Sequence, residues 1–311
     1  MNRTRLHWAL IAGTAAAVGV GAALGTRAVT QLVDSTLPDA RGIASFNRPG
    51  TITLLSSQGK IIQKLGPATR EKIKPGAMPP LVQNAFIAAE DRRFFQHNGV
   101  DVWGIARAVV TNVRQGAVRE GASTITQQLA RIVFLSQDRT ITRKLKEAAL
   151  ALKLERQLSK QQILEQYLNY VYLGSGAYGV SDAAWIYFSK TTDQLTVAEA
   201  ALIAGLPPAP SIYSPLVNPD LARKQRALVL DRMAQSGAIS RVEAERASAS
   251  PLALKPATPK YFNSSAPYFT TWVAQELPNL VTPEQLEVGG IKVRTSLNLD
   301  WQTKARNVIL K

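Results

Sequence analysis

The sequence predicts a mainly α-helical protein, and three of its features support that prediction. Apolar residues recur at helical spacing through much of the region from about residue 80 to residue 250. Hydrophobic residues make up 46% of the 311 residues, which is enough for a substantial core. Capping pairs mark the starts of three helices, namely Ser159 with Gln162, Thr196 with Glu199 and Ser240 with Glu243.

The composition points to an anionic partner or surface. The chain has 37 Lys and Arg against 22 Asp and Glu, a net charge of +15, which suits nucleic acid, anionic lipid or a phosphorylated substrate. It has no cysteine, which excludes disulfides, thiolate metal sites and a cysteine nucleophile. With His7 and His97 as its two histidines, a metal site built from several histidines is excluded as well.

The N-terminal region predicts a membrane anchor. Arg3 and Arg5 precede residues 6–26, which contain no Asp, Glu, Lys or Arg and are long enough to cross a bilayer as a helix. We expect a cytoplasmic tail at residues 1–5, a transmembrane signal-anchor at residues 6–33 and the rest of the chain outside the cytoplasm. A cleaved signal peptide is the alternative. With the anchor, genomic nucleic acid lies on the wrong side of the membrane.

The remaining chain divides into three parts. Residues 34–75 form a connecting segment with a small β-hairpin, whose strands are predicted at residues 51–55 and 60–65. Residues 76–250 form the helical domain. Residues 251–311 are first rich in proline and then strand-like at residues 289–297, which predicts a short α/β linker module that is incomplete.

Within the helical domain, apolar spacing, caps and stop residues predict where the helices lie. They are predicted at residues 102–115, after a glycine-rich turn within 121–135, at 140–158 and 161–173, between Pro219 and Gly237, and after the caps Thr196 and Ser240.

The first candidate site is the segment AFIAAEDRRFFQHNG, residues 85–99. Glu90 and Asp91 end an apolar helical run and are followed by arginines and phenylalanines. A carboxylate acting as a base near neutral pH needs partial desolvation, which small apolar residues and neighbouring rings supply. The alternative is a charged helix end whose ion pairs lie at the surface.

Two further segments are unusually polar for helices. GASTITQQLAR, residues 121–131, places uncharged donors and acceptors near a helix N-terminus, a suitable cradle for phosphate or sugar, although Ser123 or Thr124 can equally be an ordinary cap. In RKLKE, Arg143 and Lys144 lie four and three residues before Glu147 and share one helix face. The alternative there is a solvated ion pair worth about 0.3–0.5 kcal/mol.

Together these segments, with SKQQILEQYLNYVYLGSGAYG at residues 159–179, resemble the motifs of the peptidoglycan glycosyltransferases, glycosyltransferase family 51. That family includes monofunctional enzymes and the first catalytic domain of class A penicillin-binding proteins, and the resemblance covers roughly residues 51–233. It implies a lysozyme-like helical fold. It also implies polymerisation of lipid II by inverting glycosyl transfer, with release of polyprenyl pyrophosphate. Residues 289–302 resemble the junction that leads to a transpeptidase, which is absent from this sequence.

The resemblance also assigns roles to residues. It makes Glu90 the general base, Glu147 the second essential acid, and Arg143 and Lys144 the groups that neutralise the leaving pyrophosphate. The other substrate-binding candidates are Asp91, Phe94, Ser123, Thr124, Thr126, Gln127, Gln128 and Arg131. Residues expected to shape the site without contacting substrate are His97, Gly99, Gly121, Glu165, Tyr167 and Asn169.

The implied partners are lipid II, the growing glycan strand and membrane lipids, with other cell-wall synthesis proteins as further candidates and no nucleic acid. The implied location is the bacterial plasma membrane, in a single-pass protein with its catalytic domain on the extracytoplasmic side. No cofactor is required, although Mg²⁺ or Mn²⁺ can share in neutralising the pyrophosphate. Two alternatives remain: a lytic transglycosylase or lysozyme-like enzyme, and a non-catalytic membrane scaffold that binds anionic glycan or lipid.

Overall fold

The computed structural model describes residues 43, 52–65, 72–107, 123–135, 141–258, 263–282, 285 and 290–309. This part of the chain is mainly helical with one small β-sheet, as predicted. The predicted anchor, residues 6–33, and the tail before it lie outside these ranges. Within them, no helix is both long enough and apolar enough to cross a bilayer.

The helices follow one another with short connections. In chain order they are α1 (Pro80–Glu90), α2 (Ile125–Phe134), α3 (Ile141–Gln157), α4 (Lys160–Tyr170), α5 (Val180–Phe188), α6 (Val197–Ala204), α7 (Pro210–Tyr213), α8 (Pro219–Gln235), α9 (Arg241–Ala249), α10 (Pro267–Leu280) and α11 (Leu299–Ile309). Residues 102–107 are also helical, which agrees with the start of the helix predicted at 102–115. The rest of that predicted helix lies outside the described residues.

Capping explains where several of these helices begin. Ser159 and Thr196 form the predicted capping boxes with Gln162 and Glu199. Thr124, one of the two predicted candidates, caps α2 in the same reciprocal way with Gln127. At α9 the Ser240 hydroxyl accepts a hydrogen bond from the backbone N–H of Glu243, but these two residues lack the reciprocal bond, so this predicted capping box is only half formed.

One hydrophobic core organises the helical domain. Helix α1 buries one face against α6 and α8, while α2 packs between α3 and α4. The fully buried rings of Phe86 on α1 and Tyr167 on α4 meet edge to face, with centroids 6.1 Å apart. Burying a large apolar side chain contributes about 1.5–3 kcal/mol, so this contact holds α1 firmly. This contact fixes α1 against α4.

The sheet joins distant parts of the chain. Strands β1 (Ile52–Leu55) and β2 (Ile61–Leu65) form the predicted antiparallel hairpin, and β3 (Ile291–Arg294) lies within the predicted strand. The strand order is β2-β1-β3, with β3 parallel to β1. The sheet packs on α10 around a second, smaller core. The hairpin therefore packs with the C-terminal segment, a pairing that neither segment's own sequence indicates.

Gly99 is a position where the fold requires glycine. Its φ is +92°, and a Cβ atom there would lie 2.9 Å from the backbone carbonyl of Ala151. We predict that Gly99→Ala lowers the free energy of unfolding by about 2–4 kcal/mol, because the left-handed backbone and the overpacking both cost stability. Chemical denaturation measures this loss.

Gly176→Ala is the matched control, because Gly176 has a φ of +80° but nothing within 4 Å of the added Cβ. It isolates the backbone contribution, about 1–2 kcal/mol. Equal losses in the two variants would show that the contact with Ala151 is unimportant.

Candidate active site

A cleft of about 450 Å³ lies where α1, α2 and α8 meet. Glu90 and Asp91 border it from the end of α1, and Ser123, Gln128 and Arg131 border it from the start and inner face of α2. These predicted residues come from separate stretches of the sequence, and the fold brings them to one cleft. Thr124 borders the same cleft.

Glu90 is held at the cleft by an ordered pair of hydrogen bonds. The Gln128 Nε2 donates to Glu90 Oε2 at 2.7 Å, and the Tyr167 hydroxyl donates to Gln128 Oε1 at 3.0 Å. Burial raises the pKa of Tyr167 well above its ordinary value, so its hydroxyl stays protonated and remains a donor. The amide of Gln128 is thereby oriented with its nitrogen towards the carboxylate.

The carboxyl group of Glu90 is desolvated although the residue keeps some exposure to the cleft. Burial raises the pKa of Glu90, while the Gln128 hydrogen bond and the positive charges of Arg232 and Arg131 act in the opposite direction. A carboxylate with a raised pKa accepts a proton more readily than an ordinary glutamate. This is the environment expected of a general base.

Tyr167→Phe tests the hydrogen-bond relay that runs from the Tyr167 hydroxyl through Gln128 to Glu90. Removing the hydroxyl leaves Gln128 Oε1 without its donor, so we predict that turnover falls roughly two- to tenfold, the equivalent of one net hydrogen bond. Tyr187→Phe is the control, because the buried Tyr187 hydroxyl donates to the Leu173 carbonyl at 2.8 Å and does not line the cleft. Steady-state kinetics and thermal unfolding of both variants separate the two effects. Equal turnover in both variants would contradict the relay.

Asp91 borders the cleft, but its carboxylate is bonded to protein groups. It accepts a hydrogen bond from the backbone N–H of Ile125 at 3.0 Å and lies 3.0 Å from Nε2 of His97. The side chains of Asp91 and His97 are both buried. Asp91 therefore fixes the start of α2 relative to α1, and the geometry agrees with the structural role expected for His97.

Three predicted substrate contacts are turned into the protein. Phe94 and Thr126 have no exposed surface, and Gln127 retains 3%. The Thr126 hydroxyl donates to Glu155 at 2.6 Å, and the Gln127 side chain closes the capping box on Thr124. These three side chains offer almost no surface to a substrate, so the geometry favours a supporting role inside the domain over the predicted contact.

Glu147 holds two cations, and a hydrogen bond joins one of them to a residue that lines the cleft. Arg143 Nη1 donates to one carboxylate oxygen at 2.7 Å and Lys144 Nζ to the other at 2.5 Å, so the predicted shared face is confirmed. The Glu147 carboxylate is buried, unlike that of a fully solvated surface pair, although 46% of the Lys144 side chain is exposed. Lys144 also donates to the Ser123 hydroxyl at 2.7 Å, which joins the pair to the cleft.

A divalent cation finds no ready ligand set in this group. Both oxygens of Glu147 already accept hydrogen bonds from positive groups, so they do not fit as metal ligands. Among the described residues, no three His, Asp or Glu side chains cluster as a metal site requires. The expectation of Mg²⁺ or Mn²⁺ at the pyrophosphate stays a prediction.

Glu165 and Asn169 do not line the cleft. Glu165 accepts a hydrogen bond from the Gly76 N–H at 2.9 Å, and the Asn169 side chain bonds both the N–H and the carbonyl of Ile73. They fasten the segment before α1 to α4. Gly121 lies outside the described residues.

The sequence did not indicate the part of the cleft lining that comes from the second half of the helical domain. This part is formed by residues from α7, α8 and the loop before them, namely Pro207, Pro208, Tyr213, Gln225, Leu228 and Arg232. In sequence, Arg232 is one arginine among several in a long polar helix. Only the packing of α8 on α1 distinguishes it.

A desolvated carboxylate in a cleft with basic side chains is an arrangement typical of enzyme active sites. Residues 58–234, more than half of the chain, match the family described as Transglycosylase. The chain therefore belongs to the transglycosylase family, the peptidoglycan glycosyltransferases that its motifs indicated.

Known relatives agree with that assignment. Penicillin-binding protein 1A of Neisseria lactamica is 44% identical over 275 residues, which cover 88% of this chain and 34% of that protein. Penicillin-binding protein 1A of Aquifex aeolicus is 41% identical, over 87% of this chain and 37% of its own length. The chain thus spans about a third of the length of these curated relatives.

Among solved structures, penicillin-binding protein 1A from Haemophilus influenzae is similar at 25% identity. The match covers 84% of this chain and 29% of that one, with a TM-score of 0.44. The family assignment rests on the sequence matches.

Proposed function

We propose that this chain polymerises lipid II into glycan strands by inverting glycosyl transfer, with release of polyprenyl pyrophosphate. The observation that carries the proposal is the desolvated Glu90 carboxylate in the same cleft as Ser123, to which Lys144 is bonded. A base and a cationic group then act on opposite ends of one displacement reaction.

The proposed reaction is a single displacement at C1 of the donor sugar. Glu90 takes the proton from the GlcNAc 4-hydroxyl of the acceptor lipid II, and that oxygen forms a bond to C1 of the donor MurNAc. The bond from C1 to the pyrophosphate oxygen breaks, and the pyrophosphate leaves with the electron pair. Arg143, Lys144 and Arg131 supply positive charge for the developing anion, which needs no strong acid.

A lysozyme-like hydrolase is the principal competing proposal. The raised pKa of Glu90 suits a general acid as well as a base. Hydrolysis of finished glycan, however, has no anionic leaving group, and it gives no function to cations bonded to Glu147 and Ser123. A scaffold without catalysis gives no function to a desolvated carboxylate.

We also propose that the domain works against the outer leaflet of the plasma membrane, held there by the anchor at residues 6–33. Phe95, Val102 and Trp103 are large apolar side chains with 61–71% of their surface exposed, near the segment that carries Glu90. Such side chains bind at the boundary between lipid headgroups and acyl chains. Met78, just before α1, is buried in the core and takes no part in this surface.

Incubation of the protein with labelled lipid II tests the proposed function. Gel separation should show a ladder of glycan chains, accompanied by polyprenyl pyrophosphate. Unchanged lipid II in the presence of folded protein and detergent would reject the proposal.

A further inference from the structure

Residues in the last turn of α8 form hydrogen bonds with the end of α1 that carries Glu90. Arg232 Nη1 donates to the carbonyl oxygen of Ala89 at 2.6 Å, and Arg92 Nη1 donates to Gln235 Oε1 at 3.2 Å. The last carbonyls of a helix lack donors within that helix, and α1 has no basic residue in its own last turn. Arg232 supplies from another helix the cationic cap that α1 does not have.

The positive charge of Arg232 also acts on the carboxyl group of Glu90. It lines the same cleft, and its positive charge lowers the pKa of Glu90 against the larger effect of burial. No hydrogen bond joins these two described residues, so the attraction acts through space. The Arg232 side chain thus binds the backbone carbonyl of Ala89 and also attracts the neighbouring Glu90 carboxylate.

Other charges act on Glu90 from the surrounding elements. Arg131 on α2 lowers its pKa as Arg232 does, and Asp91 raises it. Tyr167 on α4 is neutral, because its own pKa is raised by burial. The remaining charged groups lining the cleft are Arg92, Asp101 and Arg107.

We propose that Arg232 is a positioning residue for the base: it caps α1 at Ala89 and keeps the Glu90 side chain in place and ionised. Its catalytic meaning rests on the proposed function, whereas its effect on Glu90 does not. Loss of the positive charge removes an interaction that favours the carboxylate, so Glu90 should then hold its proton to higher pH.

The test is a ¹³C NMR titration of glutamate side-chain carboxyls in the full chain, with the Glu90 signal assigned by its loss in Glu90→Gln. In Arg232→Gln the titration midpoint of Glu90 should move to higher pH. In Arg232→Lys, which keeps the charge, it should stay near that of the parent. Arg223→Gln is the matched control, since Arg223 lies on the same helix in an exposed pair with Asp220 and should leave the midpoint unchanged.

Turnover of lipid II provides the second readout. In Arg232→Gln the acidic limb of the pH–rate profile should move to higher pH, with a loss of about tenfold on that limb and a larger effect on kcat than on KM. A purely structural role would lower activity equally at all pH values.

Three results overturn the proposal: an unchanged Glu90 midpoint in folded Arg232→Gln, an equal shift in Arg223→Gln, or a raised midpoint in Arg232→Lys. If the glutamine variant does not fold, Arg232→Met, which keeps a long side chain but lacks the charge, takes its place, with the same expected rise of the Glu90 midpoint. If the midpoint shifts as expected but the parent protein leaves lipid II unchanged, the proposed function fails while the effect of Arg232 on Glu90 stands.

Discussion

Glu90→Gln is expected to abolish polymerisation of lipid II, with a loss of at least about a hundredfold in turnover, because a general base contributes that much or more. Glutamine keeps the shape of the side chain and an oxygen that accepts the hydrogen bond from Gln128, so binding of lipid II should stay within several-fold of the parent. Single-turnover kinetics and equilibrium binding measure the two quantities separately.

Stability is the control for this variant. Burial raises the pKa of Glu90 in the folded state, so the ionised carboxylate lowers the stability of the fold above the pKa it has in the unfolded chain. Removing the charge should therefore leave the melting temperature near neutral pH unchanged or higher. Near-parental turnover in a folded Glu90→Gln protein would show that another group is the base.

Replacing both Arg143 and Lys144 by glutamine should lower turnover on lipid II by about a hundredfold or more, because their charges oppose negative charge that develops as the pyrophosphate leaves. The loss in turnover should exceed the loss in binding. Glu147→Gln should be similarly damaging because it releases both cations, yet it should leave the titration of Glu90 largely in place.

The buried position of Glu147 complicates the double variant. A buried carboxylate that loses its partners destabilises a fold by about 3–5 kcal/mol. The triple variant, with Glu147→Gln added, removes the unpaired charge and should fold while remaining inactive. A triple variant that folds and keeps parental turnover would contradict the assigned role of the cations.

A matched control uses an ion pair that makes no hydrogen bond to a residue lining the cleft. Lys190 Nζ bonds both oxygens of Glu199 at 2.8 Å, with a partly buried lysine and a buried glutamate. Changing this pair to two glutamines removes a comparable interaction. It should lower stability without the loss of turnover.

Local signals in the sequence predicted much of the fold. Helix positions followed from apolar spacing and from caps such as Ser159 with Gln162 and Thr196 with Glu199, because these depend on neighbours a few residues apart. The pairing of β1 with β3 joins residues more than two hundred positions apart in the chain. No local pattern encodes such a contact, so it was missed.

For the candidate site too, local features could be predicted from the sequence and features set by tertiary packing could not. The pairing of Arg143 and Lys144 with Glu147 follows from helical spacing, and the structure confirms that they meet. The inward orientation of Thr126 and the position of Arg232 depend on how α2 and α8 pack against other helices. The sequence motifs identify residues near the site, but tertiary packing decides which of their side chains face the cleft.

The most direct test of the central claim compares two activities in one preparation of the parent protein and of the folded variant in which Arg143, Lys144 and Glu147 are glutamine. The activities are polymerisation of lipid II and cleavage of finished peptidoglycan. We expect the parent to polymerise lipid II and the variant to lose that activity. A parent protein that only cleaves finished glycan, together with a variant that cleaves it equally well, would contradict the glycosyltransferase proposal in favour of a lysozyme-like hydrolase.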